Sequence, residues 1–93
     1  MKVAILQFSM QIPSAFSLKD KRRVVNALKE KIRSKFNVSI AETEDQDQWD
    51  LATFGVAMAG ADARYINGAM DKLIETLGNW PEAELLDHQL EIL

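Results

Sequence analysis

Hydrophobic positions in the first 36 residues follow two periods, one after the other. From Val3 to Ile12 apolar and polar residues largely alternate, which predicts a half-buried strand. Pro13 ends this strand, because proline has no N–H group to donate to a β-ladder. Ser17 is a suitable N-cap for a helix, and Asp20 places an acid in its first turn. Apolar residues then recur every three or four positions, at Leu18, Val25, Leu28, Ile32 and Phe36, with Val24 at the edge of this face.

The segment after this helix returns to a period of two. Phe36–Thr43 and Leu51–Ala59 alternate between apolar residues and small or polar ones, so each predicts a strand. The segment Glu42–Asp50 is polar and acidic, which predicts that the two strands are joined as a β-hairpin.

A second amphipathic helix and a last strand complete the pattern. Asp62 is the expected N-cap of the helix, Gly78 its expected C′ residue, and Pro81 follows shortly after. Glu82–Leu93 predicts a strand whose apolar face holds Leu86, His88, Leu90 and Ile92. The order β-α-β-β-α-β places the chain in the α+β class. We predict a single ferredoxin-like domain over residues 1–93, with an antiparallel sheet in the order 4-1-3-2 and both helices on one face.

Composition is that of a globular protein. The chain has 93 residues, of which 47% are hydrophobic and 27% charged, and its net charge is −3. No apolar run approaches the ~20 residues needed to cross a bilayer, and the first residues do not resemble a signal peptide. Without cysteine there is no disulfide or thiolate metal site. We expect a cytoplasmic protein with no membrane contact and no small-molecule cofactor.

Charge is distributed very unevenly along the chain. Ser17–Phe36 holds eight of the eleven basic residues and two acidic ones, a local charge of +6. Asn37–Leu93 holds twelve acidic residues against Arg64 and Lys72, a local charge of −10. A chain of this kind can bind an anion on one face while being acidic as a whole. The candidate nucleic-acid-binding residues, all on the outward side of the first helix, are Lys19, Arg22, Arg23, Lys29 and Arg33.

Two interpretations of this basic helix remain open at the level of sequence. Basic side chains at i, i+7 and i+11 suit successive phosphates, and the arginine fork can bind one phosphate through two N–H groups. The same residues are good helix formers and suit a face that is merely solvated. Lys21 and Lys35 project near the apolar face, and we expect their amines to reach out to solvent.

The sheet face that the helices leave uncovered is a second candidate surface. An RNA-recognition motif would stack bases on aromatic residues there, whereas Phe8 and Phe54 are expected to point to the core. A flat face of small and polar residues suits a second copy of the chain, a protein partner or simple solvation. The expected residues are Gln7, Ser9, Gln11, Asn37, Ser39, Ala41, Thr43, Thr53, Ala57, Ala59, Asp87, Gln89 and Glu91.

The acidic connection holds the candidate partner-binding residues Gln46 and Trp49. Trp49 either packs the hairpin against the sheet, which we favour, or forms an exposed anchor. The carboxylates lack the glycine and the spacing of an EF-hand, so we expect no metal. His88 is the only histidine, and its apolar neighbours predict a part-buried side chain. No nucleophile–base pair is visible, so we predict no catalytic residue and no enzyme activity.

Three blocks of the chain resemble the YlxP-like family, small bacterial proteins of unknown function. They are SLKDKRR at Ser17–Arg23, FNVSIAE at Phe36–Glu42 and ELLDHQLEIL at Glu84–Leu93, with QDQW between the last two. The resemblance covers nearly the whole chain and implies a ferredoxin-like fold. Genes of the family often lie near genes of transcription and translation factors, so the resemblance implies an RNA- or ribosome-linked role. His88 stands where a tyrosine or an aliphatic residue is more usual.

These observations lead to one functional hypothesis and one alternative. The hypothesis is a non-enzymatic RNA- or ribosome-associated binding protein that docks through its basic first helix. The alternative is a protein–protein interaction module, or a homodimer, that uses the small-residue open face of the sheet.

Overall fold

The computed structural model describes all residues, Met1–Leu93, and has the predicted order of strands and helices. The sheet is antiparallel with strand order β2-β3-β1-β4, which is the predicted order 4-1-3-2 read from the other edge. The α+β ferredoxin-like prediction is therefore confirmed. The bounds are β1 (Lys2–Gln11), α1 (Leu18–Lys35), β2 (Ser39–Glu44), β3 (Leu51–Gly60), α2 (Ala63–Gly78) and β4 (Glu84–Ile92).

The core lies between the two helices and one face of the sheet. Phe8 of β1 and Phe54 of β3 stack there with ring centroids 4.9 Å apart, so neither aromatic ring is free to bind a base. Around them the alternate residues of each strand meet the apolar sides of both helices. The largest fully buried apolar side chains are Phe8, Phe54, Leu6, Met10, Ile12, Leu28, Ile32, Ile66, Met70, Leu73 and Leu77.

Both helices begin as the sequence predicts, and the second ends differently. The Asp20 N–H donates to Ser17 Oγ at 3.1 Å, and the Tyr65 N–H donates to Asp62 Oδ1 at 2.8 Å. Gly78 is the last residue of α2 rather than its C′ residue, and Asn79 is the C-cap. No glycine adopts a positive φ, so the helix ends without the left-handed turn that a C′ glycine supplies.

A bulge in β4 changes which side chains face the core. Ser9 pairs with Asp87, but Met10 pairs with Leu85, so Leu86 is an extra residue in the strand. Leu85 packs against the core, whereas Leu86 is 50% exposed. The predicted placement of Leu86 on the apolar face is therefore wrong.

His88 also differs from its prediction. It lies opposite Phe8 in β4, on the side of the sheet that the helices cover, yet its side chain is exposed rather than part-buried. β4 is an edge strand, and no side-chain hydrogen bond holds the imidazole in place. The predicted alternation thus places His88 on the correct side of the sheet. The side chain is exposed because the helices do not extend over this part of the edge strand.

The open face of the sheet is largely small and polar, as predicted, and it also holds the apolar residues Val3, Ile5 and Leu51. Its centre holds a hydrogen bond of 3.0 Å between Ser9 Oγ and Thr53 Oγ1. A second bulge, in β2, pairs Glu44 with Thr53 and makes Thr43 the extra residue. Asn37, one of the expected residues, lies before β2 and outside the paired strands. Apart from Asn37 and the shift at Thr43, the strands place the expected residues on one face, without an aromatic ring.

Candidate functional site

The first helix packs over the β2 side of the sheet and turns most of its basic residues outward. Val24, Val25, Leu28 and Ile32 are buried beneath it. Because an α-helix turns about 100° per residue, the positions between these apolar residues face the solvent or the outer edge of β2. The candidate residues lie on these two sides, and the structure gives them three different environments.

Lys19 and Arg22 are exposed in the first turns of α1. The ion pairs of the structure involve Lys21 and Arg23, so neither Lys19 nor Arg22 is neutralised by an acidic side chain. Lys29 lies two turns further along and is half-buried, with no ion pair. These three cations are available to an external anion.

Arg23 forms a surface ion pair. Its Nη1 lies 3.1 Å from Glu82 Oε2, and the two side chains are 63% and 45% exposed. Exposed pairs of this kind contribute about 0–1 kcal/mol and exchange easily. Arg23 can therefore leave Glu82 for another anion, but its charge is partly compensated.

Arg33 binds the outer edge of the sheet instead of facing only solvent. Its Nη2 donates to the Ile40 carbonyl of β2 at 3.0 Å. Gln46 acts in the same way, since its Nε2 donates to the Glu42 carbonyl at 3.4 Å. Both carbonyls belong to the edge strand β2, and unpaired edge groups are sites of unwanted strand pairing. The two predicted binding residues thus have a structural contact that the sequence did not indicate.

Lys21 corrects the prediction that its amine reaches the solvent. The side chain is 2% exposed, and Nζ lies 2.8 Å from Glu42 Oε2. The geometry of this contact is that of an ion pair, because Oε2 has no well-directed hydrogen bond. The directed hydrogen bond of Nζ goes to the Asp45 carbonyl at 2.6 Å. A buried amine paired in this way joins α1 to β2 and to the loop that follows it.

Lys35, at the other end of α1, is exposed as predicted. Its Nζ donates to Thr76 Oγ1 of α2 at 3.5 Å and lies 5.9 Å from the centroid of the Phe36 ring. Its place in the last turn also suits the negative end of the helix dipole. These contacts are structural, but none involves an acidic side chain, so the charge of Lys35 is not neutralised.

The loop after β2 is held in one conformation by hydrogen bonds. Asp45 adopts a φ of 62°, a left-handed conformation that Asp tolerates better than most residues. Thr53 Oγ1 donates to Asp45 Oδ2 at 2.6 Å, and the Gln48 N–H donates to the Asp45 carbonyl at 3.1 Å. Trp49 follows and is 53% exposed. More than half of the Trp49 side chain thus faces solvent, which does not fit the favoured interpretation that it packs the hairpin against the sheet.

The sequence does contain a signal for the Lys21–Glu42 pair. Lys21 begins the apolar face of α1, three and four residues before the buried Val24 and Val25. Glu42 takes the inward position two residues after the buried Ile40. A single lysine and a single glutamate at inward positions of neighbouring elements indicate a buried ion pair.

No three histidine, aspartate or glutamate side chains converge to form a metal-binding group. Neither helix combines the length and the apolar composition needed to span a bilayer. The basic face of α1 thus remains the site with the most distinctive chemistry.

Comparison with known proteins identifies relatives but no activity. Residues 3–90 match the profile of a family described as "Protein of unknown function (DUF503)". The chain is 33% identical over 73 residues to the uncharacterised protein YlxP of Bacillus subtilis (strain 168). The aligned segment covers 78% of this chain and 79% of that protein. The match supports the resemblance found in the three sequence blocks.

Proposed function

We propose that this chain, which belongs to the YlxP-like family of proteins of unknown function (DUF503), is a non-enzymatic RNA- or ribosome-associated binding protein. It acts in the cytoplasm and docks on RNA phosphates through the basic face of α1. The observation that carries this proposal is the exposure of Lys19 and Arg22 without an acidic partner, on a helix in an otherwise acidic molecule.

Three basic residues without an acidic partner are spaced along α1 as a series of phosphate contacts requires. Arg22, Lys29 and Arg33 follow one another at seven and four residues, which is about 10 Å and about 6 Å along the axis. The Arg33 guanidinium uses one N–H on Ile40 and keeps further donors for a phosphate. Such contacts position a nucleic acid but do not read its bases. We therefore expect recognition of RNA shape and charge rather than of a sequence.

A sedimentation experiment with matched variants tests this proposal. In a lysate gradient at low salt, the tagged chain should migrate with a ribosomal subunit or another RNA-containing particle. Lys19→Glu with Arg22→Glu should release it, because the variant replaces two free cations by anions. These substitutions leave the fold intact, since acids in the first turns suit the positive end of the helix dipole.

The control variant carries the same change of charge elsewhere. Arg64→Glu with Lys72→Glu alters two exposed basic residues of α2 and should leave migration unchanged. If both double variants lose co-migration equally, only net charge matters and docking through α1 is wrong. A wild-type chain that stays at the top of the gradient at every salt concentration also contradicts the proposal.

Trp49 favours the alternative function, a protein–protein interaction module. Its ring is 53% exposed in a loop fixed by the hydrogen bonds around Asp45, and exposed tryptophans are frequent anchors of interfaces. A homodimer through the open face of the sheet is the other form of this alternative. Sedimentation equilibrium of the purified chain and of Trp49→Ala measures the mass of each in solution. It distinguishes a homodimer from a monomer that uses Trp49 to bind another protein. A strict monomer at high concentration excludes the homodimer.

A further inference from the structure

We propose that the outer edge of β4 binds an extended, basic segment of a partner protein by strand addition. In this mode a peptide becomes one more strand of the sheet, and its backbone hydrogen bonds supply much of the affinity. β4 is the edge strand opposite β2, over which α1 packs. Apart from the Arg23–Glu82 pair just before β4, this surface is separate from the proposed RNA contact.

The hydrogen bonds of β4 show which of its backbone groups are free. Val3 and Leu93 exchange two hydrogen bonds, of 3.1 and 2.8 Å. In an antiparallel ladder such pairs alternate with pairs whose groups point outward. The register pairs Ile5 of β1 with Glu91 and Gln7 of β1 with Gln89. The backbone groups of Gln89 and Glu91 therefore bond to β1, as those of Leu93 do. The N–H and C=O groups that point away from the sheet belong to His88, Leu90 and Ile92.

The two edges of the sheet differ in how they are protected. At β2, Arg33 and Gln46 occupy the carbonyls of Ile40 and Glu42, and the strand has six residues. β4 has nine residues, pairs with β1 alone, and has no side chain bonded to its outward groups. Natural proteins usually cover or shorten such an edge. β4 is the edge that remains open to a further strand.

The side chains of β4 define the chemistry of the segment that fits. Asp87 and Glu91 lie on the open face of the sheet, next to Gln89, and all three are exposed. Leu90 and Ile92 lie on the other face and are half-buried against the core. An added strand would thus place alternate residues beside carboxylates and the remainder beside apolar side chains. Lys or Arg alternating with β-branched residues is complementary to both faces.

A second copy of the chain fits this edge less well. Pairing β4 with β4 of another copy brings two rows of carboxylates, each with Asp87 and Glu91, to the same face. Like charges on neighbouring strands are destabilising, and each copy already has a net charge of −3. A basic segment removes this repulsion, so charge complementarity selects it over self-association.

The test uses the full chain, purified free of nucleic acid, and a dye-labelled peptide of about eight residues in which lysine and valine alternate. Fluorescence anisotropy should show saturable binding, and a matched glutamate–valine peptide should bind at least about tenfold more weakly. Asp87→Lys with Glu91→Lys should reverse this preference. Lys19→Glu with Arg22→Glu should leave peptide binding unchanged, which separates this inference from the proposed RNA contact.

Proline substitutions locate the binding to the β4 backbone. His88→Pro removes an N–H that points outward, so the sheet should tolerate it while affinity falls at least about tenfold. Gln89→Pro removes an N–H that bonds to β1 and should destabilise the fold instead. If His88→Pro folds and binds the peptide as the wild type does, strand addition at β4 is wrong.

Amide exchange gives a readout that needs no variant. With the peptide bound, the amides of Leu90 and Ile92 should become protected, and those of Ile40 and Glu42 on β2 should not. Protection at β2, or no protection at either edge, overturns the proposal. The proposal is also overturned if the chain alone is a dimer and His88→Pro makes it a monomer. In that case a second copy of the chain, and not a basic segment, occupies the β4 edge.

Discussion

At the scale of single residues, Lys21 shows how one buried charge organises the surroundings of the candidate site. Its amine joins the Glu42 carboxylate and the Asp45 carbonyl, and Thr53 holds the Asp45 carboxylate from the other side. Since a threonine hydroxyl has a single proton, Ser9 donates to Thr53. The resulting chain of contacts runs from α1 through the loop after β2 to the centre of the open face.

Removing the Lys21 charge should be strongly destabilising. Lys21→Met keeps most of the volume but leaves Glu42, whose side chain is 17% exposed, without its countercharge. We expect a loss of about 2–4 kcal/mol in the free energy of unfolding, measured by urea denaturation. Adding Glu42→Gln should recover a large part of this loss, because no buried charge then remains unpaired. If the double variant is no more stable than Lys21→Met, the ion pair is not the cause.

At the scale of secondary-structure elements, the two bulges decide which residues of the edge strands belong to the core. A strand that alternates strictly would place Leu86 inward, but the extra residue in β4 places Leu85 there. The bulge in β2 likewise makes Thr43 the extra residue and pairs Glu44 with Thr53. Each bulge adds a residue to one strand only, so it shifts the alternation on one side of the bulge.

The adjacent leucines of β4 give a direct test of its bulge. Leu85→Ala should lower the free energy of unfolding by about 1–2 kcal/mol more than Leu86→Ala, because only Leu85 packs on the core. Thermal or urea unfolding of the two single variants measures the difference, and each is the other's control. A larger loss for Leu86→Ala would mean that β4 continues without the bulge.

At the scale of the whole molecule, folding redistributes the charge that the sequence separates. Two of the eight basic residues of Ser17–Phe36 become paired with acids from beyond that segment, Lys21 with Glu42 and Arg23 with Glu82. The charge that α1 presents is therefore smaller than the +6 of its sequence. The cations that keep no acidic partner at the start of α1 are Lys19 and Arg22, which makes that end the most positive part of the candidate surface.

This smaller charge sets the expected salt dependence of RNA binding. Neutralising three or four phosphates predicts a slope of log K against log salt of roughly −2 to −4. Lys19→Glu with Arg22→Glu should reduce the slope by about 2, since two phosphate contacts are lost. Filter binding of a structured RNA over a range of salt concentrations measures both slopes. Affinity that does not change with salt would contradict phosphate docking.

The sequence by itself determined the features that depend on neighbours along the chain. The order of strands and helices, the caps at Ser17 and Asp62 and the composition of the open face all follow from local periodicity and capping chemistry. The connections are short and β-α-β crossovers are right-handed. The order of elements along the chain therefore also predicted the order of the strands in the sheet.

Only the tertiary structure decided what each charged side chain does. The sequence grouped Lys19, Lys21, Arg23 and Arg33 as one basic helix, whereas packing separates a free cation, a buried ion pair, a surface pair and an edge contact. Their partners on other elements are between 7 and 59 residues away along the chain. Such contacts form only once α1 lies against the sheet. The local pattern places Lys21 and Glu42 at inward positions, but it does not bring the two side chains together. The open edge of β4 also depends on the tertiary structure, because β4 pairs with β1 on one side and with no strand on the other.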